Sequence, residues 1–199
     1  MRLTAGKNRS PIAIKNLFTA GRNIMSWSDI YRRYARYNRT MNQQLLEACM
    51  PLSREQLEKS CGLYFDSLLG TWNHLLVTDI LWLKRLSLIF PILEELHDLP
   101  TPGALNVILA PDLNSLRPLR ERLDDTYIRW CDLLRADDAR DVLQYTNSRG
   151  EEMAKPLDLV LQHIFNHQTH HRGQITAELS RLGVDFGITD LLLTADLND

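Results

Sequence analysis

Cysteine is scarce in this chain of 199 residues: there are three, Cys49, Cys61 and Cys131. Their number is odd, they stand far apart, and no C-x-x-C pair occurs. That sets aside a disulfide framework and a thiolate metal site, and it predicts reduced, packed thiols in a cytoplasmic protein. No apolar run approaches the roughly 18 residues of a membrane span. The early stretch "NLFTA" is too short for a signal-peptide core and is flanked by Lys15 and Arg22. Net charge is low, at −2, which gives no electrostatic case for nucleic-acid binding by the whole chain. Glycine is also sparse, and no G-x-G-x-x-G, P-loop or G-x-S-x-G occurs. With no H-E-x-x-H either, nucleotide-binding and serine-hydrolase readings lack a base.

What is present is enough for one ordinary domain. Hydrophobic residues make up 44% and charged residues 24%, so a buried core is expected and global disorder is not. The charge is uneven. Residues 1–24 hold five basic side chains and no acid, which leaves 18 basic against 25 acidic residues in the remainder. We expect residues 1–25 to form a basic, flexible extension and residues 26–199 to form the folded domain.

Helical periodicity dominates that domain. The first long helix is predicted over 28–49, capped by Ser26 or Ser28, with Ile30, Tyr34, Tyr37, Met41 and Leu45 as its apolar face. "PLSREQLEKS" opens a short helix capped by Ser53. A second long helix is predicted over 65–90, a third over 114–136 with Asn114 as cap, and a fourth from Pro156 to Leu182, stopped by Gly183. Between the last two, "VLQYT", "NSRG" and "EEMAK" read as a strand, a turn and a strand. The fold class expected is all-α, a four-helix bundle with a small β-hairpin between helices three and four.

The fourth helix carries "HIFNHQTHHRGQ", with four of the six histidines within nine positions. At about 100° per residue, His171 falls roughly 15° and His167 roughly 55° from the centre of the apolar stripe. His163 and His170 fall near its edges, at roughly 95° and 115°. His167 and His171 therefore point inward one turn apart, a spacing used by helix-borne two-histidine metal sites. A third ligand must come from elsewhere, and the remaining histidines are His74 and His97. His74 lies in the second helix on a narrow polar stripe with Ser67, Thr71 and Thr78. Asp79, on that helix's apolar side, calls for a buried partner. Gln174 projects near His167, Gly173 suggests close helix approach, and Arg172 suggests an ion pair before contact with an anionic substrate.

"RYARYNRTMNQQLL", "GTWNHLLVTDILWLKRL" and "HIFNHQTHHRGQITAELSRLG" together resemble the DinB/YfiT-like superfamily of metal-dependent enzymes, over about residues 26–195. The resemblance implies helices in an up-down-down-up order, often in a homodimer. It implies one divalent metal ion per chain, zinc, nickel or iron, on His74, His167 and His171; helix projection, not the resemblance, offers His163, His170, Gln174 and Asp79 as neighbours of that site. It also implies a small-molecule substrate, with a low-molecular-weight thiol such as bacillithiol or mycothiol as cosubstrate in S-transferase or isomerase chemistry. A hydrolase at the same site, or a non-catalytic metal-binding stress or scaffold protein, remains the alternative. No nucleic-acid or membrane partner is expected.

Overall fold

The computed structural model of the protein describes residues 26–90 and 96–193. The basic segment 1–25 lies outside them. Among the described residues the chain is mostly helical, with one two-stranded antiparallel sheet. α1 spans Trp27–Cys49, α2 Arg54–Glu58, α3 Leu68–Leu86, α4 Leu113–Asp132 and α5 Leu157–Arg181. A 3₁₀ turn, Ala136–Arg140, leads from α4 into β1, Val142–Thr146, which pairs with β2, Glu152–Pro156, in the register Val142↔Pro156.

Local chemistry sets most of the boundaries. Ser26 and Asp29 close a reciprocal capping box on α1, and Ser53 and Gln56 do the same on α2. Asp112, rather than Asn114, caps α4, its side chain accepting from the Ser115 N–H at 2.8 Å. Gly183, at φ 71°, ends α5. α3 is shorter than the periodicity predicts. Its apolar composition continues at both ends, but Asp66 takes a left-handed φ of 70° just before the Ser67 cap, and 87–89 turn away after Leu86.

α1 packs against α4 and α5, and α3 packs against the same two, so the four long helices surround one core. Trp72, Leu75 and Leu76 of α3 meet Leu123, Tyr127 and Trp130 of α4, Leu45 of α1 and Ile164 of α5 inside it. Met41 and Leu45 lie on the inner face of α1 as predicted, but the first turns of the helix bury a different set. Ile30 and Tyr34 are 40% and 37% exposed, whereas Tyr31, Ala35, Asn38, Met41, Asn42 and Leu45 are buried. Two asparagines belong to the buried face and turn the apolar stripe away from where hydropathy alone sets it.

Those asparagines enter a buried polar network. Arg120 of α4 pairs bidentately with Asp124 (3.0 and 2.9 Å) and lies 2.6 Å from Asp79 of α3. Asn38 and Asn42 donate to Asp124 (3.2 and 2.9 Å), and their amide oxygens accept from Arg172 of α5. Asp79 also accepts from the Tyr127 hydroxyl (3.2 Å) and from the Gln168 amide. Two cations and two anions thus balance inside the core, each hydrogen-bonded, as burial of charge requires. Burial works against the charge of Arg120, and Asp124 and Asp79 outweigh it.

Candidate metal centre

His74 comes from the middle of α3, and His167 and His171 come from α5, one turn apart. Their rings converge. His167 Nε2 lies 3.1 Å from His74 Nε2 and 3.1 Å from His171 Nε2, and the three donor atoms lie within 4.8 Å of one another. Two imidazole nitrogens bound at 2.0–2.1 Å to one ion, at angles between about 90° and 109°, stand roughly 2.9–3.4 Å apart. Both measured separations fall in that range.

The outward nitrogens fix the tautomers. His74 Nδ1 donates to the Leu105 carbonyl at 2.9 Å, and His171 Nδ1 donates to Gln174 Oε1 at 2.8 Å. A carbonyl oxygen only accepts, so in both rings the proton sits on Nδ1 and the Nε2 lone pair points inward. His167 Nε2 has at most one proton to share between two such lone pairs. At least one close N···N contact therefore has no hydrogen in it, an arrangement that suits a cation between the rings. Carbonyl and amide partners on the far nitrogen are the usual second layer of histidine metal sites.

Electrostatics agree. Burial lowers the pKa of His74 to about 4, against the pull of the Leu105 bond. Burial lowers His167 to about 3, with further contributions from the neighbouring imidazoles. Burial lowers His171 as well. All three are neutral at pH 7 and offer lone pairs without losing a proton. Among the described residues this cluster contains no carboxylate or thiol. A divalent ion held by these three neutral rings would keep its full positive charge and leave room for a further ligand, unlike closed structural zinc sites.

A short segment before α3 covers one side. The Phe65 ring stacks on His74, with centroids 3.5 Å apart and planes 16° from parallel. Gly70 makes room for this turn, because a Cβ at that position would lie 2.1 Å from the Phe65 carbonyl oxygen. On the other side, His74, His167 and His163 line a cavity of ≈420 Å³ that opens beneath the hairpin.

The remaining sequence candidates divide. His163 shares that cavity, its ring 5.8 Å from that of His167. His170 is exposed, and Gln174 lies between it and His171. Asp79 does not face the histidines directly. It binds Gln168, which sits between His167 and His171 in sequence. His97 is exposed and outside the cluster. Two expectations are corrected. Gly173 is exposed and a Cβ there would meet open space, so it mediates no close helix approach. Arg172 bonds to the Asn38 and Asn42 amides and the Thr169 hydroxyl rather than to a carboxylate.

Sequence reasoning missed Phe65, the Leu105 carbonyl, Gln168 and the Arg120–Asp124 pair. A signal existed for the last. Asn38 and Asn42, and Arg120 and Asp124, are i,i+4 pairs set within otherwise apolar faces.

Comparison with known proteins gives two findings. The sequence profile of the DinB family matches residues 25–198. The chain is 27% identical over 168 residues to Protein DinB of Bacillus subtilis (strain 168), covering 82% of this chain and 92% of that protein. No described helix is long and apolar enough to cross a membrane.

Proposed function

The chain belongs to the DinB family, and on that premise we propose that it is a metal-dependent enzyme that activates a small thiol for transfer to an electrophile. The observation that carries the proposal is the convergence of three neutral imidazoles whose outward nitrogens are tied down. His74, His167 and His171 hold one divalent ion, zinc or nickel before iron. When bound, the ion supplies Lewis acidity toward a thiol or a water molecule.

The chain's own groups do the rest. Phe65 keeps water from one face of His74, while Leu105 and Gln174 keep two rings in the right tautomer. His163, in the open cavity, stands where it receives the proton that the thiol gives up. No cysteine belongs to the cluster, and Cys49 and Cys131 are buried, so the nucleophile comes from outside the chain. We extend the reading to an up-down-down-up bundle, to a cytoplasmic homodimer, and to a partner set without nucleic acid or membrane. Trp27, Tyr31, Tyr34 and Tyr37 cannot all turn inward on α1, and Tyr34 is 37% exposed, which supports a second copy there.

Metal content and thiol titration test the proposal. Purified protein should carry about one divalent ion per chain by elemental analysis, and His167→Ala or His171→Ala should remove most of it. Cobalt-loaded protein titrated with glutathione, bacillithiol or mycothiol should develop a sulfur-to-metal charge-transfer band, absent in His74→Ala. Unchanged metal content in both α5 variants would overturn the centre. A centre that binds metal but shows no band and no conjugation with any thiol would leave water as the nucleophile, or a scaffold with no reaction.

A further inference from the structure

His74, Thr78, Leu81 and Arg85 follow one another on α3 at spacings of four, three and four, which places them on one face. They floor the ≈420 Å³ cavity, with His163 and His167 of α5 opposite and Tyr145 of the hairpin above. A second cavity of ≈390 Å³ shares Leu81, Arg85 and Tyr145 and runs on to Lys84 and the loop 101–105. The chain beyond residue 24 is acidic, with 18 basic against 25 acidic residues. Among the described residues, however, neither cavity is lined by any Asp or Glu, while Arg85, Lys84 and Arg149 line them.

Arg85 is the cation of the three best placed to read a ligand. Its guanidinium sits in the corner formed by two aromatic rings, 4.7 Å from the Trp82 centroid and 4.6 Å from that of Tyr145. Among the described residues it makes one hydrogen bond, a long one of 3.4 Å to the Thr146 carbonyl. Lys84 is already engaged by the Leu99 carbonyl and the Thr101 hydroxyl, and Arg149 is exposed, 3.9 Å from Glu151. A stacked guanidinium is pre-organised and presents its donor edge for a planar, bidentate anion. Such a half-buried cation, with no carboxylate against it among the described residues and a cavity in front of it, is arranged for a ligand's negative charge.

We propose that Arg85 binds the carboxylate end of the thiol substrate whose sulfur is received at His74, His167 and His171. The proposal rests on the thiol reading above. It adds a substrate class: an anionic thiol, long enough to reach from one end of the α3 stripe to the other. Eleven residues of helix rise about 16 Å, so with side-chain reach the ligand spans on the order of 10–15 Å. A carboxylated thiol the length of a tripeptide, at about 3.3–3.6 Å per residue, matches that span, whereas cysteine is too short.

The test uses full-length cobalt-loaded protein, wild type and Arg85→Met, with Arg85→Gln as a second variant that keeps a flat polar group beside the rings. Thermal melts and metal content establish that each variant is folded and loaded. The probes are glutathione (thiol and anion), 2-mercaptoethanol (thiol, no anion) and S-methylglutathione (anion, no free thiol). Spectroscopy follows the thiols, and calorimetry follows all three. We expect glutathione and S-methylglutathione to weaken about 10- to 100-fold in either variant, and 2-mercaptoethanol to move less than about twofold. Glutathione binding wild type and both variants alike would overturn the assignment of Arg85 while leaving thiol ligation intact. Arg85-dependent binding of S-methylglutathione with no charge-transfer band from any thiol would uphold the anion site and remove the thiol reading. Failure of both glutathione forms to bind wild type at millimolar concentration would overturn the assignment.

Discussion

Replacing Arg120 by Met should be among the most damaging single changes away from the histidines. The guanidinium is 1% exposed and holds Asp124, at 0%, and Asp79, at 2%. Met fills similar volume but leaves both carboxylates buried without their shared cation. Asp79 keeps the Tyr127 hydroxyl and the Gln168 amide, and Asp124 keeps two asparagine amides, so neither loses every partner. Breaking one side of a buried ion pair costs about 3–5 kcal/mol. For a chain of this size that lowers the melting temperature by roughly 6–20 °C. The assay is a thermal melt followed by circular dichroism at pH 7, in chelator so that metal binding does not mask the change. The double variant Arg120→Met, Asp79→Asn should recover much of the loss, because one buried anion, Asp124, then balances the network's remaining buried cation, Arg172. A single variant melting within about 2 °C of wild type would refute this account of the network, as would a double variant no more stable than the single.

Other outcomes follow from the same geometry. The two helical glycines should respond oppositely to alanine. Gly173→Ala should stabilise by about 0.5–1 kcal/mol in urea titrations, whereas Gly70→Ala, facing the Phe65 carbonyl, should lower both stability and metal affinity. In metal-free protein, His74 and His167 have folded pKa values of about 4 and about 3, below the ordinary value of 6.5. The unfolded chain then binds more protons below pH 6.5, so stability falls as pH drops from 6.5 towards 4. The slope between pH 6.5 and 5 should flatten in His167→Gln, and an unchanged slope would count against the burial argument. Burial raises the Cys49 thiol to about 11 and pushes Cys131 higher still, so a thiol reagent at pH 7.5 should label Cys61 alone in the native state. Deleting residues 1–24 should leave folding and metal content unchanged, as checked by melting temperature and elemental analysis.

The legible part of the fold was whatever repeats along the chain. The 3.6-residue period located four long helices within a few residues, the cap chemistry of Ser26 and Ser53 located two starts, and Asn147–Gly150 located the hairpin turn. The inward pair His167 and His171 was legible for the same reason. Non-local chemistry was hidden. Asn38 and Asn42 read as surface residues until Asp124, more than 80 positions away, makes them buried ones. The place of His74 rested on resemblance, because an almost wholly apolar helix has no preferred face. Phe65 and Leu105 act through a backbone turn and a carbonyl, which side-chain patterns do not encode.

The two halves of the histidine cluster are 93 residues apart in the chain, from His74 to His167. At about 5–20 residues per second of synthesis, the ribosome delivers the second half roughly 5–20 s after the first. During that interval α3 and α4 are both available and can already pair through Asp79 and Arg120, but no three-nitrogen cluster exists. The last long helix to emerge completes it. Metal capture would therefore be a late event in the making of this bundle, and the ion would arrive at a chain whose other three described long helices have already had time to meet. Its binding ties a long loop shut instead of directing how the loop is built, so metal starvation should yield folded protein that can be filled later.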